Sequence, residues 1–139
     1  MLEQVHEHII GELRQSARTD TVFVITAIAF NLIVLGINSG VAGAAAGGGS
    51  LASDIVLGVF ITLSFVVNGI AIAGLFFGSR TRSRLLKGLL AMYRDNGVDQ
   101  YYDAALLANY SRRYWLFIGA IASLALTSIV VPLIIRTMV

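Results

Sequence analysis

Three stretches of the chain carry no charged residue, at 21–53, 55–79 and 114–135. Each is longer than the roughly 20 apolar residues that a helix needs to cross the hydrocarbon core of a bilayer. The apolar residues fall on every side instead of alternating, which excludes strands of a membrane barrel. A helix satisfies all of its own backbone polar groups in lipid, so each stretch predicts a transmembrane helix. The first stretch changes character partway. It is rich in Ile, Val, Phe and Leu up to Ile37, then almost entirely Gly, Ala and Ser from Asn38. The spans predicted are 21–43, 55–78 and 114–135, with 44–54 as an outer Gly/Ala loop.

The polar segments between them are also patterned. In 1–20, Leu2, Val5, Ile9 and Leu13 recur at helical spacing, with Ile10 and Ala17 widening the stripe. This predicts an N-terminal amphipathic helix, with Thr19 or Asp20 capping the span that follows. Over 80–94, Leu85, Leu86, Leu89, Leu90 and Tyr93 form an apolar side, and Arg80, Arg84, Lys87 and Arg94 a basic stripe. Asp95-Asn96-Gly97 stops that helix, Gly97 being suited to a left-handed cap. No breaker follows until Pro132, so one helix of roughly 35–40 residues, about 55 Å long, is expected from Val98 into the third span. The fold class is thus an all-α integral membrane protein in one domain, 1–139. It has three spans, an N-terminal amphipathic helix and a basic cytoplasmic helical hairpin at 79–113.

Composition strengthens this. Of 139 residues, 57% are hydrophobic and 13% charged, against about 25% charged in ordinary soluble domains. Charge distribution sets an orientation. The 79–113 segment holds six arginines and a lysine, whereas 44–54 holds no basic residue. The positive-inside rule puts the former, and with it the N-terminus, in the cytoplasm, and the C-terminus outside. Arg14 and Arg18 agree; Arg136 is the exception, read as snorkelling to the outer headgroups. Tyr110, Tyr114, Trp115 and Phe117 predict an aromatic belt where the third span enters lipid. No cleavable signal peptide is evident, and a prokaryotic inner or plasma membrane is expected.

Candidate chemistry is sparse. Asn31, Asn38 and Asn68 are the notable polar residues in the spans, either lining a pore or clamping helices together. Gly36, Gly40, Gly74 and Gly78 form GxxxG pairs, a spacing that lets helices approach closely in lipid. The Gly/Ala stretch reads as a linker, with a re-entrant loop as the alternative. The middle of each span lacks ionisable residues, which argues against proton coupling. With no cysteine, thiolate chemistry is excluded. Glu3 and His6 have a di-metal spacing but lack the further carboxylates, so neither metal nor cofactor is expected. Neither a nucleophile–base pair nor a phosphate loop is present, and no enzymatic activity is expected. Arg80, Arg84, Lys87 and Arg94 predict contact with anionic lipid or an acidic cytoplasmic protein, not nucleic acid.

Two functions fit. One is a small homo-oligomeric channel or pore with the asparagines facing its axis. The other is a non-catalytic accessory or scaffold subunit that docks partners through its cytoplasmic helices. In both, self-association is expected because three helices alone make a thin bundle.

Overall fold

The computed structural model describes residues 1–103 and 105–138, and the side chains of all of these except 106 and 107. The chain forms three long helices: α1, Leu2–Ala46; α2, Leu51–Asp95; and α3, Ala105–Met138. A 3-10 turn at Asp99–Tyr101 precedes α3. Each helix contains a stretch long and apolar enough to cross a membrane. Helices α1 and α2 run antiparallel in one register from end to end. His6 meets Tyr93, Asp20 packs on Gly78, and Asn31 meets Asn68. Helix α3 returns beside α1, with Tyr114 at Asp20, Ser128 at Asn31 and Arg136 at Ala45.

The helices are longer and less interrupted than the sequence suggests. Residues 1–20 are not a separate amphipathic helix; α1 passes through Thr19-Asp20-Thr21 without a break. The threonine hydroxyls donate back to the carbonyls of Gln15 and Ala17, so they satisfy themselves within the helix and do not cap a new one. Asp20 turns to a partner on α3. Likewise 80–94 is the continuation of α2, not a second helix. The expected 44–54 loop shrinks to Gly47–Ser50. Ala44, Ala45 and Ala46, strong helix formers, extend α1, and Ser50 caps α2 by accepting from the Ser53 N–H. Gly48 takes a positive φ of 147° in this turn, which glycine adopts without strain. A four-residue hairpin leaves no re-entrant segment.

The stop at the other end is where the sequence puts it. Gly97 has φ +68°, the Val98 N–H reaches back to the Tyr93 carbonyl, and Asn96 donates to the Met92 carbonyl. This is a Schellman-type end. The final helix begins later than Val98, because the 3-10 turn intervenes and Asp103 accepts from the Ala105 N–H at its start.

Small residues let the helices approach. Ala27 and Ala71 share a buried cluster with Leu75, Tyr114 and Ile121. Beyond the apolar spans, Leu13 of α1 packs with Leu86 and Leu89 of α2, flanked by Ile9, Ile10 and Tyr93. The predicted apolar stripe of 1–20 therefore covers its own α2, although Leu2 and Val5 remain exposed. Within the spans many other large apolar side chains point outward, with Phe65 65% and Leu126 64% exposed. A surface of that kind is compatible with a membrane location.

Candidate functional site

The polar residues of the bundle gather at three levels. At the middle, Asn31 and Asn68 exchange amide hydrogen bonds. Asn31 Nδ2 donates to Asn68 Oδ1 at 2.7 Å, and Asn68 Nδ2 donates to Asn31 Oδ1 at 3.0 Å. Each NH₂ also donates to a carbonyl of its own helix, Ala27 and Ser64. Ser128 Oγ of α3 adds a long contact to Asn31 Oδ1 at 3.4 Å. The pair thus ties all three helices within one chain, and it faces inward.

Asn38 differs. It is fully buried, and neither side-chain polar atom has a partner among the described residues. The pairs Asn31–Ser128 and Ala45–Arg136 bracket it at the level of Pro132, which is also fully buried. Proline has no N–H, so the Ser128 carbonyl loses its helical donor there.

At the end of the bundle that carries the Gly turn, Arg136 is no snorkelling exception. Its Nε and Nη2 donate to the Asp54 carboxylate at 3.0 and 3.2 Å, and Nη1 donates to the Ala45 carbonyl at 3.0 Å. One guanidinium thereby joins the end of α3, the start of α2 and the last turn of α1. A cation there also opposes the negative end of the α1 dipole. Gly49 leaves room at this clamp, since a Cβ on it would lie 2.9 Å from the Ala45 carbonyl oxygen and 2.7 Å from Arg136 Nη2.

At the opposite, basic end, Asp20 is 7% exposed and accepts a hydrogen bond from the Tyr114 hydroxyl. A Cβ at Gly78 would meet Asp20 Oδ1 at 2.6 Å, and one at Gly74 would meet the Phe23 ring at 3.2 Å. Gly74 and Gly78 of α2 thus lie against side chains of α1. Gly36 and Gly40 make no such contact within this chain; they are exposed, with nothing within 4 Å of a built Cβ. The aromatic belt is likewise divided. Trp115 faces outward while Tyr114 turns inward to Asp20.

Around this last clamp the register brings basic residues from all three helices together. Arg14 and Arg18 of α1, Arg80, Arg82, Arg84 and Lys87 of α2, and Arg112 and Arg113 of α3 fall in a band about 10 Å tall along the helices. These are eight of the ten basic residues. Six of the eight acids lie beyond the band or at its far edge: Glu3, Glu7, Glu12, Asp95, Asp99 and Asp103. The bundle end is therefore a basic collar with an acidic tip. Of the expected contact residues, Arg80, Arg84 and Lys87 are exposed in the collar and Arg94 is exposed near the tip.

Arg82 is the collar residue that sequence reasoning did not single out. Its guanidinium lies over the Tyr110 ring, 4.5 Å from the centroid, and its Nε is buried without a partner among the described residues. Two clefts meet at Arg82, Tyr110 and Tyr114. Further out, His6 Nε2 and the Tyr93 hydroxyl are 3.0 Å apart, and Tyr93 packs on Tyr102. Burial, then Tyr110 and Tyr93, push the Tyr102 phenol above its ordinary value against the pull of Arg82, so it stays protonated near neutral pH. The spacing of Glu3 and His6 draws no further acids; among the described residues no three His, Asp or Glu side chains converge.

No protein-family model matches this chain, and no curated protein or solved structure matches it either. The fold and site define a three-helix bundle of membrane-spanning length whose polar residues clamp its own helices, with a charged collar at one end.

Proposed function

We propose that the protein is a membrane-anchored, non-catalytic scaffold or accessory subunit that docks partners on its charged end. The observation that carries this reading is the continuation of α1 and α2 as one packed pair beyond the Asp20–Tyr114 clamp. From Asp20 to Leu2 the rise is about 27 Å, and Leu13, Leu86, Leu89 and the His6–Tyr93 contact hold the pair together. A rigid, charged projection suits docking; a linker between two spans would not need it. The channel reading requires Asn31, Asn38 and Asn68 to face an axis between copies. All three are buried between helices of a single chain, which favours the scaffold.

In this reading the collar lies at the cytoplasmic leaflet, as the positive-inside rule directs. The N-terminus is cytoplasmic and the C-terminus outside. Gly36 and Gly40 present an open face of α1 on which self-association would be built. The docking partner is a cytoplasmic protein that meets Arg84, Lys87 and Arg94.

Photo-crosslinking in native membranes tests the proposal, with the reactive residue placed at Gly88 or at the lipid-facing Phe65. A discrete protein adduct is expected from Gly88 alone, lost on combined R84E and K87E. Ion conductance by the purified protein in planar bilayers, altered by N31L without loss of fold, would overturn it.

A further inference from the structure

We infer that the cleft between α2 and α3 in the collar binds the headgroup phosphate of an anionic phospholipid. The inference stands apart from the scaffold reading, since a lipid site would serve a channel equally. The cleft has a volume of about 200 Å³, and its polar lining comprises Ser79, Arg80, Arg82, Ser83, Tyr110, Ser111 and Tyr114. Two guanidinium groups and five hydroxyls, of which that of Tyr114 already donates to Asp20, make a donor-rich set, and among the described residues no carboxylate lines the cleft. Such a set suits a phosphate, whose oxygens accept several hydrogen bonds and take guanidinium in a fork.

Arg82 is the centre of the site. It is pre-oriented on the Tyr110 face, and it forms no ion pair among the described residues. Asp20 does line the smaller neighbouring cleft of about 120 Å³ together with Arg82 and Arg113, but its carboxylate is engaged by Tyr114. A partly buried guanidinium without a counter-ion is unfavourable, and an incoming anion removes that penalty. Depth identifies the source of the anion. The cleft is level with the collar, next to the apolar band, where headgroups lie. Its Arg80 wall lies over Phe76 at 4.4 Å, and Phe76 and the exposed Phe77 continue the surface into the band. A ligand charged at one end and apolar at the other matches both surfaces; free phosphate matches only the first.

Native mass spectrometry of delipidated protein, offered phosphatidylglycerol, phosphatidylcholine or inorganic phosphate in turn, tests this. One retained phosphatidylglycerol is expected. R82Q should weaken it about tenfold or more, as loss of a charged hydrogen-bond donor does, and R80Q several-fold. R112Q removes the same charge from a residue lining neither cleft and should leave retention intact. If R82Q does not fold, R80Q against R112Q decides. Equal retention in R80Q, R82Q and R112Q would overturn the site. Equal retention of phosphatidylcholine, or of inorganic phosphate without lipid, would overturn the anionic-lipid assignment.

Discussion

Replacing Asn31 and Asn68 by leucine, singly and together, tests whether the mid-bundle amide pair holds the helices. Leucine keeps the γ-branched shape and removes every hydrogen-bonding atom. An interhelical hydrogen bond in a membrane protein averages about 0.6 kcal/mol, with a maximum near 1.7. The two bonds of the pair, at 2.7 and 3.0 Å, therefore predict a coupling of about 1–2 kcal/mol. Each single variant also strands its partner's buried amide, which costs about 1–3 kcal/mol. The strandings are unequal. In N68L, Asn31 keeps the Ala27 carbonyl and the Ser128 hydroxyl. In N31L, Asn68 keeps only the Ser64 carbonyl, and its Oδ1 has nothing. N31L should thus be the worse of the two, and the double variant should lose less than the two singles combined. Equilibrium unfolding in mixed detergent micelles, followed through the single tryptophan Trp115, gives all three values. Additivity within about 0.5 kcal/mol, the behaviour of independent sites, would refute the pairing.

Asn38, buried without a partner among the described residues, should behave oppositely. N38L is expected to leave thermal stability unchanged or raise it, and a loss matching N31L would show that Asn38 is bonded. R136Q should destabilise by about 1–2 kcal/mol, through the ion pair and the dipole of α1; D54N should cost less because Arg136 keeps the Ala45 carbonyl, and salt should erase the Asp54 share. G78A must displace Asp20 and should cost about 1–3 kcal/mol, whereas G36A and G40A, meeting nothing of their own chain within 4 Å, should leave the stability of the single-chain bundle unchanged or raise it by up to about 1 kcal/mol; the same melting curves decide. The chain has no cysteine, so K87C and L51C report orientation: an impermeant maleimide added outside intact cells should label position 51 and spare 87.

Three helices long and apolar enough to cross a membrane were legible because lipid length and backbone satisfaction leave little choice. So was the stop at Gly97, which local chemistry decides. What escaped depends on residues far apart in sequence. Asp20 reads locally as a cap, and only the arrival of Tyr114 and the space at Gly78 make it a buried clamp. Arg136 reads as a misplaced charge until Asp54 and Ala45 stand beside it. Arg82 is one arginine in a basic run, distinguished only by Tyr110 and the burial of its Nε. The asparagines were named as polar sites, but sequence spacing left their direction open, because Asn31 and Asn38 share a face that suits a bundle core and a pore alike.

Helices α1 and α2 cross the collar without a break, and this makes the bundle a lever. A membrane protein answers a change in bilayer thickness partly by tilting. With a flexible joint at Asp20, that tilt would end at the headgroups. Here the joint is three hydrogen-bonded and packed helices, so the tip must swing with the spans. A tilt of about ten degrees displaces a point about 27 Å from the fulcrum by about 5 Å, enough to separate or engage two protein surfaces. In the scaffold reading, the thickness and tension of the lipid would in this way be felt by a protein docked at Arg94, near the tip.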